Sequence, residues 1–114
     1  MMNITYKDNI VYFIQKEIIF PDRIFQIKQD DDKIFILFEI PTKDELTYND
    51  YHNVFCYSDK GEKIWQIGVR PKGDKAVYTM IDMDDAYLYA NDFFGRRYTI
   101  DKNSGLIKDI KIVK

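Results

Sequence analysis

Cysteine and histidine each occur once, at Cys56 and His52. One thiol builds no disulfide framework, and one Cys with one His is too small a ligand set for a structural zinc site. Proline (3) and glycine (5) are scarce, which excludes collagen-like and low-complexity chains. Long apolar runs are missing: residues 10–14 and 34–38 are the longest, far below the roughly 20 residues of a membrane-spanning helix. Neither charge dominates. Lys and Arg total 17 against 19 Asp and Glu, a net of -2, which argues against a general nucleic-acid binder. The opening Met1 to Asp8 lacks a basic start followed by an apolar run, so the expected compartment is the cytoplasm.

What the chain has instead is aromatics. Tyr (9) and Phe (8) are abundant while Ala76, Ala86 and Ala90 are the only alanines, a bias toward strands over helices. The recurring period is two. Nine short segments carry it: 10–15, 24–29, 33–40, 53–57, 63–69, 76–81, 86–90, 97–101 and 106–113. The first is apolar enough to be a strand buried on both faces. Only residues 42–50 offer a helical turn. Asp30-Asp31-Asp32, Asp59-Lys60-Gly61, Pro71-Lys72-Gly73-Asp74, Asn91-Asp92 and Asn103-Ser104-Gly105 are turn chemistry between strands. Strands at this spacing predict one all-β antiparallel domain over residues 1–114.

Within it lies a repeat. Placing Gly61 over Gly105 puts Val54 to Trp65 over Tyr98 to Asp109, while upstream Asp31 to Ile36 matches Asp84 to Tyr89 at a separation nine residues larger. The excess is an insertion within residues 41–52. The units span about 30–67 and 82–112, and a period of this length is typical of propeller blades. Lys60-Gly61 with Ile64-Trp65, and Tyr98, Asp101 and Gly105, resemble the blade signature of quinoprotein-type (PQQ-like) β-propellers. Tyr57 stands where that signature has Asp, and Asp109 where it has Trp. The resemblance implies a blade-like meander and no quinone cofactor, since that needs a closed ring. Two blades cannot close one, so the expected architecture is two meanders packed as a sandwich or half-open barrel. Open edges then need protection, which Lys108, Lys111 and Lys114 on the last strand can give.

Charge is unevenly spread. Residues 30–51 hold seven acids and two bases, residues 82–92 four acids and no base, and residues 96–114 six bases and two acids. If the repeat holds, Asp30, Asp31 and Asp32 and then Asp82, Asp84 and Asp85 precede equivalent strands and merge into one acidic rim, expected close to the inserted loop. That loop combines Asp44, Glu45 and Asp50 with Tyr48 and Tyr51, acids and aromatics of the kind that make contact surfaces. The acids around Asp82 lack the Gly and Glu of an EF-hand, and neither metal nor cofactor is expected. Cys56 and His52 have no catalytic partner near in sequence, so no enzyme activity is expected. Phe93 and Phe94 beside Arg96 and Arg97 offer an RNA or single-strand site, but the blade pattern places these aromatics in the core. The chain thus resembles, by type rather than by motif, the small immunity proteins of bacterial toxin–immunity systems. The expected job is steric and electrostatic blocking of a basic toxin, without membrane or nucleic acid. The alternatives are a blade pair that homodimerises through open strand edges and a single-strand binder.

Overall fold

A computed structural model describes residues 4–71 and 75–112. Lys72 to Asp74 of the expected turn, and Val113 and Lys114 of the last strand, lie outside the described residues. The fold is all-β, with eleven antiparallel strands among the described residues and one four-residue helix. Nine strands fall on the nine periodic segments. The other two, β1 (Thr5–Lys7) and β3 (Glu17–Ile19), flank β2 (Ile10–Tyr12) in a small sheet. The segment expected to be buried on both faces is β2, yet Tyr12 and Ile14 are exposed. This sheet is an outer layer, and only one of its faces is covered.

Two four-stranded meanders follow. The first is β4 (Arg23–Asp30), β5 (Lys33–Glu39), β6 (Val54–Ser58) and β7 (Lys63–Gln66). The second is β8 (Tyr78–Met83), β9 (Leu88–Asp92), β10 (Arg96–Ile100) and β11 (Ile107–Ile112). In each, every strand pairs with its sequence neighbour. The internal repeat recurs in the backbone. Gly61 and Gly105 both adopt positive φ, 88° and 77°, which a side chain at Cβ disfavours. The ladder then skips Ile64 in one copy and Lys108 in the other, residues at the repeat's own spacing. The insertion joins β5 to β6, where the second copy has only a tight turn between β9 and β10.

The meanders pack face to face, and the first is also covered on its other side. Phe35, Leu37, Val54, Cys56, Trp65 and Ile67 meet Tyr78, Ile81, Leu88, Ala90, Tyr98 and Ile100 in one core. Val11, Phe13 and Phe20 meet Ile24, Ile34, Ile36 and Phe38 in the other. Successive strand residues point to opposite faces, so β5 feeds both cores and buries residues 34 to 38 without a break. The strand buried on both faces is therefore β5. Each of its large side chains contributes on the order of 1.5–3 kcal/mol by burial.

Strand β8 is the edge of its sheet, and two side-chain amides occupy part of that edge. The Asn53 amide donates to the Tyr78 carbonyl (2.9 Å) and accepts from the Tyr78 N–H (2.9 Å). The Gln26 amide donates to the Ile81 carbonyl (2.9 Å) and accepts from the Ile81 N–H (2.8 Å). Each amide mimics one rung of a neighbouring strand, joining the two meanders and satisfying groups that an open edge leaves unpaired.

Candidate functional site

The acidic turns gather at one end of the sandwich. Asp31 takes positive φ (57°) in the β4–β5 turn, a conformation Asp tolerates better than most residues. In the β8–β9 turn, Asp84 Oδ1 accepts from the Ala86 and Tyr87 N–H groups (both 2.8 Å), and the Tyr89 hydroxyl donates to Asp84 Oδ2 (2.6 Å). These bonds, led by the Tyr89 hydroxyl, hold the Asp84 carboxyl below its ordinary range. Lys102, from the β10–β11 turn, ties the two acidic turns together. Its Nζ donates to Asp30 Oδ2 (2.7 Å) and to the Asp84 carbonyl (2.5 Å). The Lys102 ammonium answers one carboxylate and Lys33 Nζ lies 3.8 Å from Asp32 Oδ1, while Asp31, Asp32 and Asp85 stay exposed. Asp59 joins them, its N–H donating to the Asp32 carbonyl (2.9 Å). Asp82 lies on the outer face of β8, 3.9 Å from Arg97. From the sequence Asp59 is only a turn residue and Lys102 carries no role, because each reaches the rim on a second hairpin.

The inserted loop is not close to this rim. The β4–β5 turn caps one end of β5 and the insertion leaves from the other, and seven strand residues separate them by roughly 20 Å. Asp50 is not a surface group either, being 3% exposed. It is the N3 residue of a capping box on helix α1 (Tyr48–Tyr51), with the Thr47 N–H donating to Asp50 Oδ2 (2.8 Å) and Lys43 Nζ at 2.9 Å. Burial opposes ionisation of this carboxyl, but the Thr47 and Lys43 contacts outweigh it and keep its pKa low. Tyr48 stacks on His52 with ring centroids 3.8 Å apart. Tyr51 is half-buried, and Asp44 and Glu45 are exposed.

Phe93 and Phe94, expected in the core, are 70% and 67% exposed. The cause is Asp92. Its Oδ1 accepts from the Phe94 and Arg96 N–H groups (2.9 and 3.0 Å), folding a tight turn that turns both rings outward. They border an apolar groove of about 510 Å³ whose walls include Ile40, Leu46, Val77 and Thr79.

Beneath this end lies a buried polar network. Arg70 is 4% exposed. Its Nε donates to the Tyr98 hydroxyl (3.2 Å), its other nitrogens donate to the carbonyls of Tyr51 and Ala76, and its guanidinium lies 4.3 Å from the Tyr78 ring centroid. The Tyr98 hydroxyl donates to Asp92 Oδ2 (2.7 Å), which also accepts from Arg96 Nε (2.8 Å). Burial works against the charge on Asp92, but Tyr98 and the Arg96 backbone and side chain overcome it and hold the carboxyl below its ordinary value. Burial pushes the Tyr98 hydroxyl up, helped by Asp92. These groups lock one another in place, and none reaches an open surface as a base or nucleophile. Arg96 meets the buried Asp92 and lies over the Phe94 ring at 5.5 Å, while Arg97 lies over the Tyr89 ring at 4.5 Å, so of the two arginines only Arg96, largely buried, adjoins the exposed phenylalanines. Burial pushes the Cys56 thiol up to about 12, so at neutral pH it is protonated and a poor nucleophile. Among the described residues no three His, Cys, Asp or Glu side chains gather as a metal site, and no helix is long and apolar enough to cross a membrane.

The shifts predict a two-stage acid response. Burial, with the Arg70 charge beside it, lowers the His52 pKa below 6.5. Folding therefore favours neutral His52, and that stability is lost as pH falls below 6.5. Asp92 and Asp50 are depressed below 3.8, so their contribution is full above that value and is lost as pH falls through it. Denaturant midpoints measured from pH 8 to pH 3 should fall gently first and steeply below about 4. A midpoint that rises between pH 7 and pH 5 would contradict this.

A family model described as "Domain of unknown function (DUF7957)" matches residues 1–112, and the chain belongs to that family. No curated protein and no solved structure matches it.

Proposed function

We propose that this DUF7957 member is a non-catalytic protein-binding module, most simply an immunity-type inhibitor that covers the working surface of a basic toxin. The observation that carries the reading is the Lys102 clamp. Holding the acidic turns of both meanders at one end, it leaves Asp31, Asp32 and Asp85 facing solvent together. A rigid concentration of one charge attracts an oppositely charged partner and speeds its docking. The acids of the inserted loop, at the far end, are outside this contact.

The test neutralises or reverses exposed charges, of which Asp32 alone makes an ion pair among the described residues, an exposed one to Lys33 at 3.8 Å that contributes little to stability. The combined variant Asp31→Asn, Asp32→Lys and Asp85→Lys and the unchanged protein are each used to capture partners from the native cell, at low and high salt. The expected result is a basic protein held by the unchanged chain and released by the variant. Its association slows about tenfold or more at low salt, with a flatter salt dependence. Equal association rates for the two chains remove the electrostatic reading.

A further inference from the structure

We propose that the opposite end of the molecule, carrying Phe93 and Phe94, is a homodimer contact in which each copy seats its aromatic turn in the groove of the other. This surface is separate from the acidic rim. Exposed single apolar residues are ordinary, but adjoining large ones beside a groove mark an association site. Phe93 and Phe94 touch each other edge to face and Phe94 meets Arg96, but their turn is made by the Asp92 carboxylate and most of each ring is left uncovered. The groove they border continues past Val77 and Thr79 to Phe25, 54% exposed on the β4 bulge.

The occupant follows from area and charge. At roughly 200 Å² per aromatic side chain, the exposed parts of Phe93, Phe94 and Phe25 amount to about 380 Å² per copy. Two copies thus offer about 760 Å² from three side chains each, and the groove walls bring a two-fold contact toward the 1,200–2,000 Å² of stable interfaces. Knob and groove lie on one patch, as an isologous contact requires. The patch carries both signs along its walls, Lys75 and Lys43, the latter paired with Asp50, together with Glu39. A mixed rim can complement a second copy of itself, whereas a uniformly basic partner would meet like charge there. Two-fold pairing here keeps the acidic ends apart and free. The pairing differs from the edge-to-edge dimer that the sequence offered as an alternative, because amides already occupy part of the β8 edge.

Sedimentation equilibrium of the full chain over micromolar to near-millimolar concentration is the test. The expected mass rises from 13.7 kDa toward twice that value. Phe93→Ser with Phe94→Ser weakens the dimer about tenfold or more, while its thermal transition, measured dilute enough for both chains to be monomeric, stays cooperative and within a few degrees of the unchanged chain's. Thr79→Arg on the groove wall, which sets like charges facing across the two-fold, does the same. A chain that stays monomeric throughout overturns the proposal and leaves the groove to a different protein. Variants that dimerise as strongly as the unchanged chain also overturn it, by placing the contact elsewhere.

Discussion

Asp92→Ala should lower the unfolding free energy by about 3–5 kcal/mol. Asp92 is 3% exposed and its oxygens accept from the Phe94 and Arg96 N–H groups, the Arg96 guanidinium and the Tyr98 hydroxyl. Truncation leaves those donors without their carboxylate and removes the anion nearest Arg96, whose side chain is 19% exposed. Each orphaned buried donor costs about 1–3 kcal/mol, though Arg96 can turn partly to water and reduce the total. Asp92→Asn keeps the shape and an acceptor but loses the charge, so a smaller loss of about 1–3 kcal/mol is expected. Urea midpoints at neutral pH with an unchanged m-value are the measurement. Asp85→Ala, on an exposed turn, should stay within about 0.5 kcal/mol. If Asp92→Ala lies that close to the unchanged chain, the network carries no stability.

That network also marks where sequence reading fails. The period-two segments were legible because each strand's pattern is local, and Gly61 and Gly105 were legible because a positive-φ turn selects for glycine. The insertion was legible as a mismatch between two spacings. The outer sheet was not, because β1 and β3 are three residues each, too short to show alternation. Nor could Arg70 be assigned to Tyr98, 28 residues away, since nothing local marks such a contact, and the Asp92–Tyr98 bond, though within one hairpin, depends on a bend that the sequence pattern does not show. Phe93 and Phe94 were misplaced for a different reason. Hydrophobicity predicts burial on average, but here a side-chain bond from the preceding residue fixes the turn and decides which way the rings point. Asp50 misled in the opposite sense. An acid in an acidic loop suggests a solvated surface, yet a capping box three residues after Thr47 draws it inside. The acidic turns themselves were visible as residues. Their union was visible only through the repeat, and the lysine that ties them sits 72 residues from Asp30.

The second large effect expected is at the contact between repeat copies. Trp65→Ala should cost about 3–5 kcal/mol. The indole is 7% exposed, packs 5.9 Å from the Phe35 ring, and donates its N–H to the Lys102 carbonyl (2.8 Å). The same ring lies against Gly105, where a Cβ would fall 2.6 Å from two of its atoms. Gly105→Ala is therefore doubly unfavourable. It forces a side chain into positive φ, costing roughly 1–2 kcal/mol, and drives a methyl into the indole, costing about 1–3 kcal/mol more. Only the second of these depends on Trp65. In the Trp65→Ala background the methyl enters the space the ring has left, so Gly105→Ala should there cost no more than the backbone strain. The two losses are accordingly less than additive, with a coupling of about 1–3 kcal/mol. Strict additivity would mean that the indole does not rest on the glycine turn, and that the two meanders are joined by their other contacts alone. Because Lys102 hangs from the same turn, Trp65→Ala also loosens the clamp on Asp30 and Asp84, and the affinity for a basic partner proposed above should fall along with stability.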